Sequence, residues 1–389
     1  MNTLDTYLRV LMTAVLLLAM AGCDSDDDGS SSFDVSSVPR YADSGPYPVG
    51  VTTLDLGDRF IEVWYPGDPG SEVGVPVATY TTFDAFFEML PQIFQRFLEI
   101  LLELFLPPEL KFSFEMDAYR DIPVSADSPF PVLTFSHGRG GFRLAYSSLL
   151  AGIASHGFVI ASIDHLEWGL LATTMGFEPD PERDAGELVL ATLDLLEVEN
   201  STIGGRFQGW IDISMAATAG HSLGRRAVFA HPDKPEIVAM VGYATGSTDG
   251  VSTSKPTLLL VGEEDEGADS LEEAYEGLAP VKRFVSIGKT GHNSFTDQCA
   301  TIHGGNNFIE ALIEMGLPLP DDIVDQALNG CMPENLSPPE VWRIVQHFTV
   351  AHLRAAFGID DPPVGLGSGI TQAFEGVEIL YRSEDQGYN

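Results

Sequence analysis

Positive charge is what this chain has least of. Of 389 residues only 20 are Lys or Arg, against 57 Asp or Glu, for a formal net charge of −37. Such a balance opposes binding to nucleic acid and to anionic lipid surfaces, and the broad excess reads as a solvated acidic surface. Cysteine is also scarce, with only Cys23, Cys299 and Cys331. No second close Cys or His pair gives them ligand spacing, so neither a metal nor another cofactor is expected. No Gly-Lys-Ser/Thr follows the glycine-bearing run at 138–141, which argues against a phosphate-cradling loop. There is no internal repeat. The apolar run from Val10 to Met20 is too short to span a bilayer as a helix.

That run is preceded by Arg9 and ends in Ala21-Gly22-Cys23. It resembles a bacterial lipoprotein signal peptide, in which small residues precede a cysteine that becomes lipidated. The resemblance implies a leader over 1–22, a lipid on Cys23, and an exported protein anchored to a membrane of the bacterial cell envelope. A plain secretory signal with an incidental cysteine is the alternative. Asp24 to Ser32 holds only charged and small residues, so 23–40 is expected to be a disordered tether. In an exported protein the leftover pair, Cys299 and Cys331, invites a disulfide.

Residues 49 to 66 alternate as a hairpin. From Pro129 onward the grammar is short apolar strands alternating with amphipathic helices. Strands are expected at 132–136, 158–164, 213–220, 237–243, 257–261 and 283–287, and helices at 144–156, 185–198 and 341–357. The pattern predicts an α/β fold: a mainly parallel sheet with helices on both faces, one domain over 41–358. Two segments interrupt it. Residues 84–108 are an inserted apolar stretch whose polar residues, Glu88, Gln92, Gln95, Arg96, Glu99 and Glu103, form one narrow helical stripe. A lid over an active site, a core helix and a membrane-docking helix are the three readings. Residues 301–338 carry Pro and Gly clusters and read as an insertion. Residues 359–389 form an extension with one candidate strand at 377–381.

Gly220-His221-Ser222-Leu223-Gly224 sits between an expected strand and the expected helix from Arg225 to Ala230. Strand, Gly-x-Ser-x-Gly, helix is the layout of a nucleophile elbow, with the serine on a sharp turn between glycines that remove clashing Cβ atoms. A serine hydroxyl needs a base, and the base an acid that fixes its tautomer. The strand at 257–261 runs into Gly262-Glu263-Glu264-Asp265, and Asp265 is the chosen acid, with Glu263, Glu264 and Asp269 as rivals. The strand at 283–287 runs into a loop bearing His292, the chosen base. Phe135-Ser136-His137-Gly138-Arg139-Gly140-Gly141 follows another strand end. It suits an oxyanion hole made by the main-chain N–H groups of Leu223 and Arg139.

Phe135-Ser136-His137-Gly138, Gly141-Phe142-Arg143, Tyr146-Ser147, Ala154-Ser155-His156-Gly157-Phe158, Val63-Trp64-Tyr65-Pro66 and Gly220-His221-Ser222 resemble the platelet-activating-factor acetylhydrolase family of α/β-hydrolases. Gly291-His292 through Phe295-Thr296-Asp297 is similar to bacterial lipoprotein esterases of the dienelactone-hydrolase-like group. The resemblance implies an α/β-hydrolase fold, a Ser222–Asp265–His292 triad without metal, and hydrolysis of a small-molecule or lipid ester of carboxylic acid. A peptidase or thioesterase on the same fold, or a non-catalytic binding lipoprotein, is the competing reading. Arg225 and the loop His165-Leu166-Glu167-Trp168 depart from the family pattern, the loop in a way that implies an altered acyl or leaving-group pocket.

Overall fold

The computed structural model describes residues 34–81, 84, 113–175, 184–247, 251–305, 307, 309–310, 313 and 321–385. The expected leader over 1–22, and the expected apolar helix beyond Asp84, lie outside the described residues.

Among the described residues eleven strands form one sheet: β1 (Val49–Asp55), β2 (Phe60–Pro66), β3 (Val77–Thr81), β4 (Ser113–Arg120), β5 (Phe130–Ser136), β6 (Val159–Ile163), β7 (Ile211–His221), β8 (Ile237–Tyr243), β9 (Thr257–Gly262), β10 (Lys282–Ile287) and β11 (Ile379–Glu384). Their spatial order is β11-β10-β9-β8-β7-β5-β6-β2-β1-β4-β3. The six central strands from β6 to β10 run parallel. The hairpin β1–β2 joins antiparallel to β6, and β11 joins antiparallel to β10. From β5 the chain crosses to β6 on one side, and from β7 to β8 on the other. The sheet therefore reverses its winding between β5 and β7, where ligands bind in open α/β sheets.

Strands buried on both faces must be apolar throughout, and these are. In β9, Leu258 and Leu260 face one core while Leu259 and Val261 face another. Against the first face pack α1 (Ser147–Ala154) and the long closing helix, here α8 (Pro338–Ala356). Against the other lie α3 (Ala185–Ser201) and α5 (Ala268–Gly277). Asp184 caps α3 by accepting from the N–H groups of Gly186 and Glu187, which supplies partners for two amides the helix leaves open. A short α2 (Leu170–Met175), the four-residue α4 (Arg225–Val228), α6 (Asp297–His303) and α7 (Asp321–Leu328) complete the described helices used below. Among the described residues no helix is long and apolar enough to cross a membrane.

Three expectations are corrected. Residues 35–40 are not tether. Val35–Ser37 form a 3-10 turn, and the N–H groups of Gly365 and Gly367 donate to the carbonyls of Val35 and Ser36 at 3.1 and 2.8 Å. The candidate strand of the C-terminal region is present with shifted bounds, 379–384 instead of 377–381, and it closes the sheet edge against β10. The helix after Gly224 stops at Val228 instead of reaching Ala230, because Phe229 leaves the helical region.

Candidate active site

Ser222 lies at the end of β7 with φ +51°. A side chain other than glycine adopts that left-handed backbone only where its surroundings impose it. They do so here through contact with β5. A Cβ on Gly220 would come within 2.8 Å of Val228 and 3.0 Å of the Ser136 carbonyl oxygen; one on Gly224 would lie 2.2 Å from that same oxygen. Both glycines of the pentapeptide are thus required by packing, and the serine side chain is turned outward from the sheet end.

His292 follows β10 and Asp265 follows β9. His292 Nε2 is 2.9 Å from Ser222 Oγ, and Nδ1 is 2.8 Å from Asp265 Oδ2. A carboxylate only accepts, so Nδ1 carries the hydrogen and Nε2 presents a lone pair to the serine hydroxyl. Burial works to raise the Asp265 carboxyl, but the hydrogen bond from His292 and the Gly267 N–H at 2.7 Å hold it below the usual carboxylate range. Asp265 is only 8% exposed. The rivals Glu263, Glu264 and Asp269 are all exposed, and the His292 ring bonds to none of them.

The loop after β5 packs on Ser222. A Cβ on Gly138 would lie 3.0 Å from that of Ser222. The N–H of Gly140 donates to Trp168 O at 2.8 Å and that of Gly141 to Gly138 O at 3.1 Å. Arg139, between Gly138 and Gly140, lines the same cavity as Ser222 and His292. Leu223 follows Ser222 in the first turn of a 3-10 segment, where an N–H has no partner within the helix. The cavity is about 220 Å³, walled by Phe142, Tyr146 and Leu170 on one side and by Ile302 and Ile309 on the other. The departing loop 165–168 does not line it. Trp168 stacks on His165 at 4.3 Å and donates from Nε1 to His137 O at 3.2 Å, so this loop props the loop at 138–141.

Behind that loop lies a buried ionic cluster. Arg59 binds both oxygens of Glu167 at 2.7 and 2.9 Å, and Arg143 reaches Glu62 at 3.3 Å and Asp164 at 3.2 Å. The base loop is mounted differently. The Asn329 side chain accepts from His292 N–H, its main-chain oxygen accepts from Asn293 N–H at 3.0 Å, and its amide donates to Glu264 O at 3.1 Å. Cys331, two residues on, is joined to Cys299 in a disulfide. Asn329 was not among the residues singled out from the sequence. Its place two positions before Cys331 was the available signal, because pairing Cys331 with Cys299 brings it beside the His292 loop. Among the described residues no three His, Cys, Asp or Glu side chains gather as metal ligands.

A family model described as platelet-activating factor acetylhydrolase, isoform II, matches residues 31–201. The platelet-activating factor acetylhydrolase of Cavia porcellus is 30% identical over 162 residues, covering 40% of this chain and 35% of its own. That of Canis lupus familiaris is 27% identical over 151 residues, with 37% and 32% covered. A putative phospholipase A2 of Schizosaccharomyces pombe is 27% identical over 162 residues, with 37% and 36% covered. The chain thus spans about a third of the length of these curated relatives, and the family match ends before Ser222. A solved ferulic acid esterase from Streptomyces cinnamoneus superposes with a TM-score of 0.56 at 20% identity, covering 86% of this chain and 97% of that one. This is an α/β-hydrolase superfamily fold, related to esterases of the platelet-activating-factor-acetylhydrolase type.

Proposed function

We propose that the protein is a serine hydrolase of carboxylic esters with a short acyl group or a lipid-like alcohol part. The observation that carries this reading is the hydrogen-bonded series Ser222 Oγ, His292 Nε2, His292 Nδ1, Asp265 Oδ2, at 2.9 and 2.8 Å. His292 takes the serine proton as Oγ attacks the ester carbonyl carbon. Asp265, ionised, stabilises the imidazolium that forms. The carbonyl oxygen becomes an oxyanion facing the N–H groups of Leu223 and Arg139, an arrangement worth several kcal/mol in the transition state. The imidazolium returns its proton to the departing alcohol oxygen, leaving an acyl-serine. Water then attacks, giving its proton to His292, and the acid leaves as Ser222 regains a hydrogen. The apolar cavity of about 220 Å³ suits a short acyl chain better than a long one, being smaller than drug-sized pockets of roughly 300 Å³ and more. Anchoring in the bacterial envelope through a lipid on Cys23 is part of the proposal and rests on the leader sequence alone.

A fluorophosphonate probe and nitrophenyl esters graded in acyl length test the reading. The expected result is labelling of Ser222, turnover falling as the acyl chain lengthens, and loss of both in Ser222→Ala by about four orders of magnitude or more. Full turnover by Ser222→Ala would overturn it.

A further inference from the structure

The loops bearing Arg139, Ser222 and His292 meet at a buried pair of side chains that the proposed reaction does not use. His221, immediately before the nucleophile, is buried, with Nε2 2.8 Å from the main-chain oxygen of His292 and Nδ1 2.8 Å from the hydroxyl of Tyr146. A carbonyl oxygen only accepts, so Nε2 carries the hydrogen. Burial, and after it the neighbouring His292, pushes the His221 pKa down to about 3. The ring is therefore neutral and Nδ1 is a bare acceptor. Tyr146 must then spend its one hydrogen on Nδ1. Gly138 packs on the same ring: a Cβ there would lie 2.9 Å from His221 Nδ1.

Every direction in the series is now fixed. Tyr146 O–H donates to His221 Nδ1, and His221 Nε2–H donates to the carbonyl of His292. Gly138, packed on the same ring, is a single residue from Arg139, and the far end of the series is the main chain of His292. The His292 residue is gripped twice: by Asn329 at its N–H and by His221 at its carbonyl. Burial drives the Tyr146 hydroxyl far above its ordinary pKa, so neither side chain changes protonation near neutral pH.

We propose that Tyr146 and His221 are positioning residues that hold the oxyanion loop and the base loop in register with Ser222. This rests on the esterase reading, and it adds a coupling between two loops that are far apart in sequence. If it holds, removing either hydrogen bond lets His292 Nε2 drift from Ser222. A displacement near 1 Å at a reacting group can lower a rate about a hundredfold.

The test compares purified wild type, Tyr146→Phe, His221→Leu and His221→Gln. The readouts are kcat and KM on a nitrophenyl ester, fluorophosphonate labelling rate, and the low-field proton resonance of His292 Nδ1–H. Expected are a kcat lowered about tenfold in Tyr146→Phe and about a hundredfold in His221→Leu, with KM little changed and the resonance shifted or broadened. His221→Gln, whose amide can still donate to the His292 carbonyl, should recover most of the loss. Should His221→Leu not fold, Tyr146→Phe decides. Wild-type kcat and an unmoved resonance in the folded variants would overturn the proposal. A wild type that neither labels nor turns over the ester would overturn the esterase reading instead, and the resonance alone would then decide whether these residues position His292.

Discussion

The two sides of the site are held by opposite means. The side of the proposed oxyanion hole grows from β5, in the middle of the sheet, and is backed by buried ions of β2 and the loops beside it: Arg59 with Glu167, and Arg143 with Glu62 and Asp164. The base side grows from β10, near the edge, and leans on a peripheral segment whose small core is Cys299, Ile302, Ile309 and Cys331, with Val324, Ala327 and Leu328 around it. One side is fixed by charges that cannot move without being left unpaired in the interior. The other is fixed by main-chain amides and one covalent link. The difference teaches where damage should appear. Faults among the buried ions should register as loss of fold, and loss of a base-side amide contact as loss of rate in a protein that still folds.

Arg143→Met should give the largest stability effect. Arg143 is 1% exposed, and its removal leaves the carboxylates of Glu62 and Asp164 short of a partner inside the protein. Breaking a buried pair from one side costs about 3–5 kcal/mol, which denaturant unfolding would measure. An unchanged midpoint would break the comparison at once. Next comes Cys299→Ser with Cys331→Ser. Their link closes a sequence separation of 32 residues, worth about 3–4 kcal/mol by chain entropy. Because Cys299 also lines the cavity, the variant should lose discrimination between acyl lengths in the graded ester series. Equal selectivity before and after would detach the disulfide from the site. The smallest effect is expected from Asn329→Ala, which frees His292 N–H but touches no central strand. About a tenfold fall in kcat with an unfolding midpoint close to wild type would sharpen the contrast; a large stability loss without a rate change would reverse it.

Most of the frame was legible because its signals are local. The six central strands are short apolar runs, and each was found to within a few residues. Ser222, Asp265 and His292 stand just past three strand ends, where the topology of such a sheet gathers reacting groups. Asp265 could not be told from Glu263, Glu264 and Asp269 by sequence, since burial chose among them and burial is not written in a run of acids. The strands β3 and β4 were missed although both alternate cleanly, as in Ser113 to Arg120 with Phe114, Met116 and Ala118 turned inward. They pair with one another across residues 82–112, and period-2 patterning names a strand without naming its partner. The roles of Tyr146, His221 and Asn329 were illegible for the same reason: each acts through a contact between segments distant in the chain. The loop at 165–168, whose departure implied a changed pocket, instead braces the oxyanion loop, a distinction of a few ångströms that only packing decides.

The strand β11 has a consequence for how the molecule is made. It is the last element of the sheet in sequence, and it covers the outer edge of β10 from Ile287↔Ile379 to Lys282↔Glu384. A chain emerging from the ribosome finishes β5, β7 and the nucleophile turn early. It holds β10 with an open row of amides and carbonyls until residues 379–384 have followed. During that interval the strand leading to His292 is a template for any other extended segment. Chain order therefore makes His292 the last of the three proposed reacting groups to be secured, and a chain cut short before β11 should be recovered as aggregate, not as a soluble protein of lowered activity.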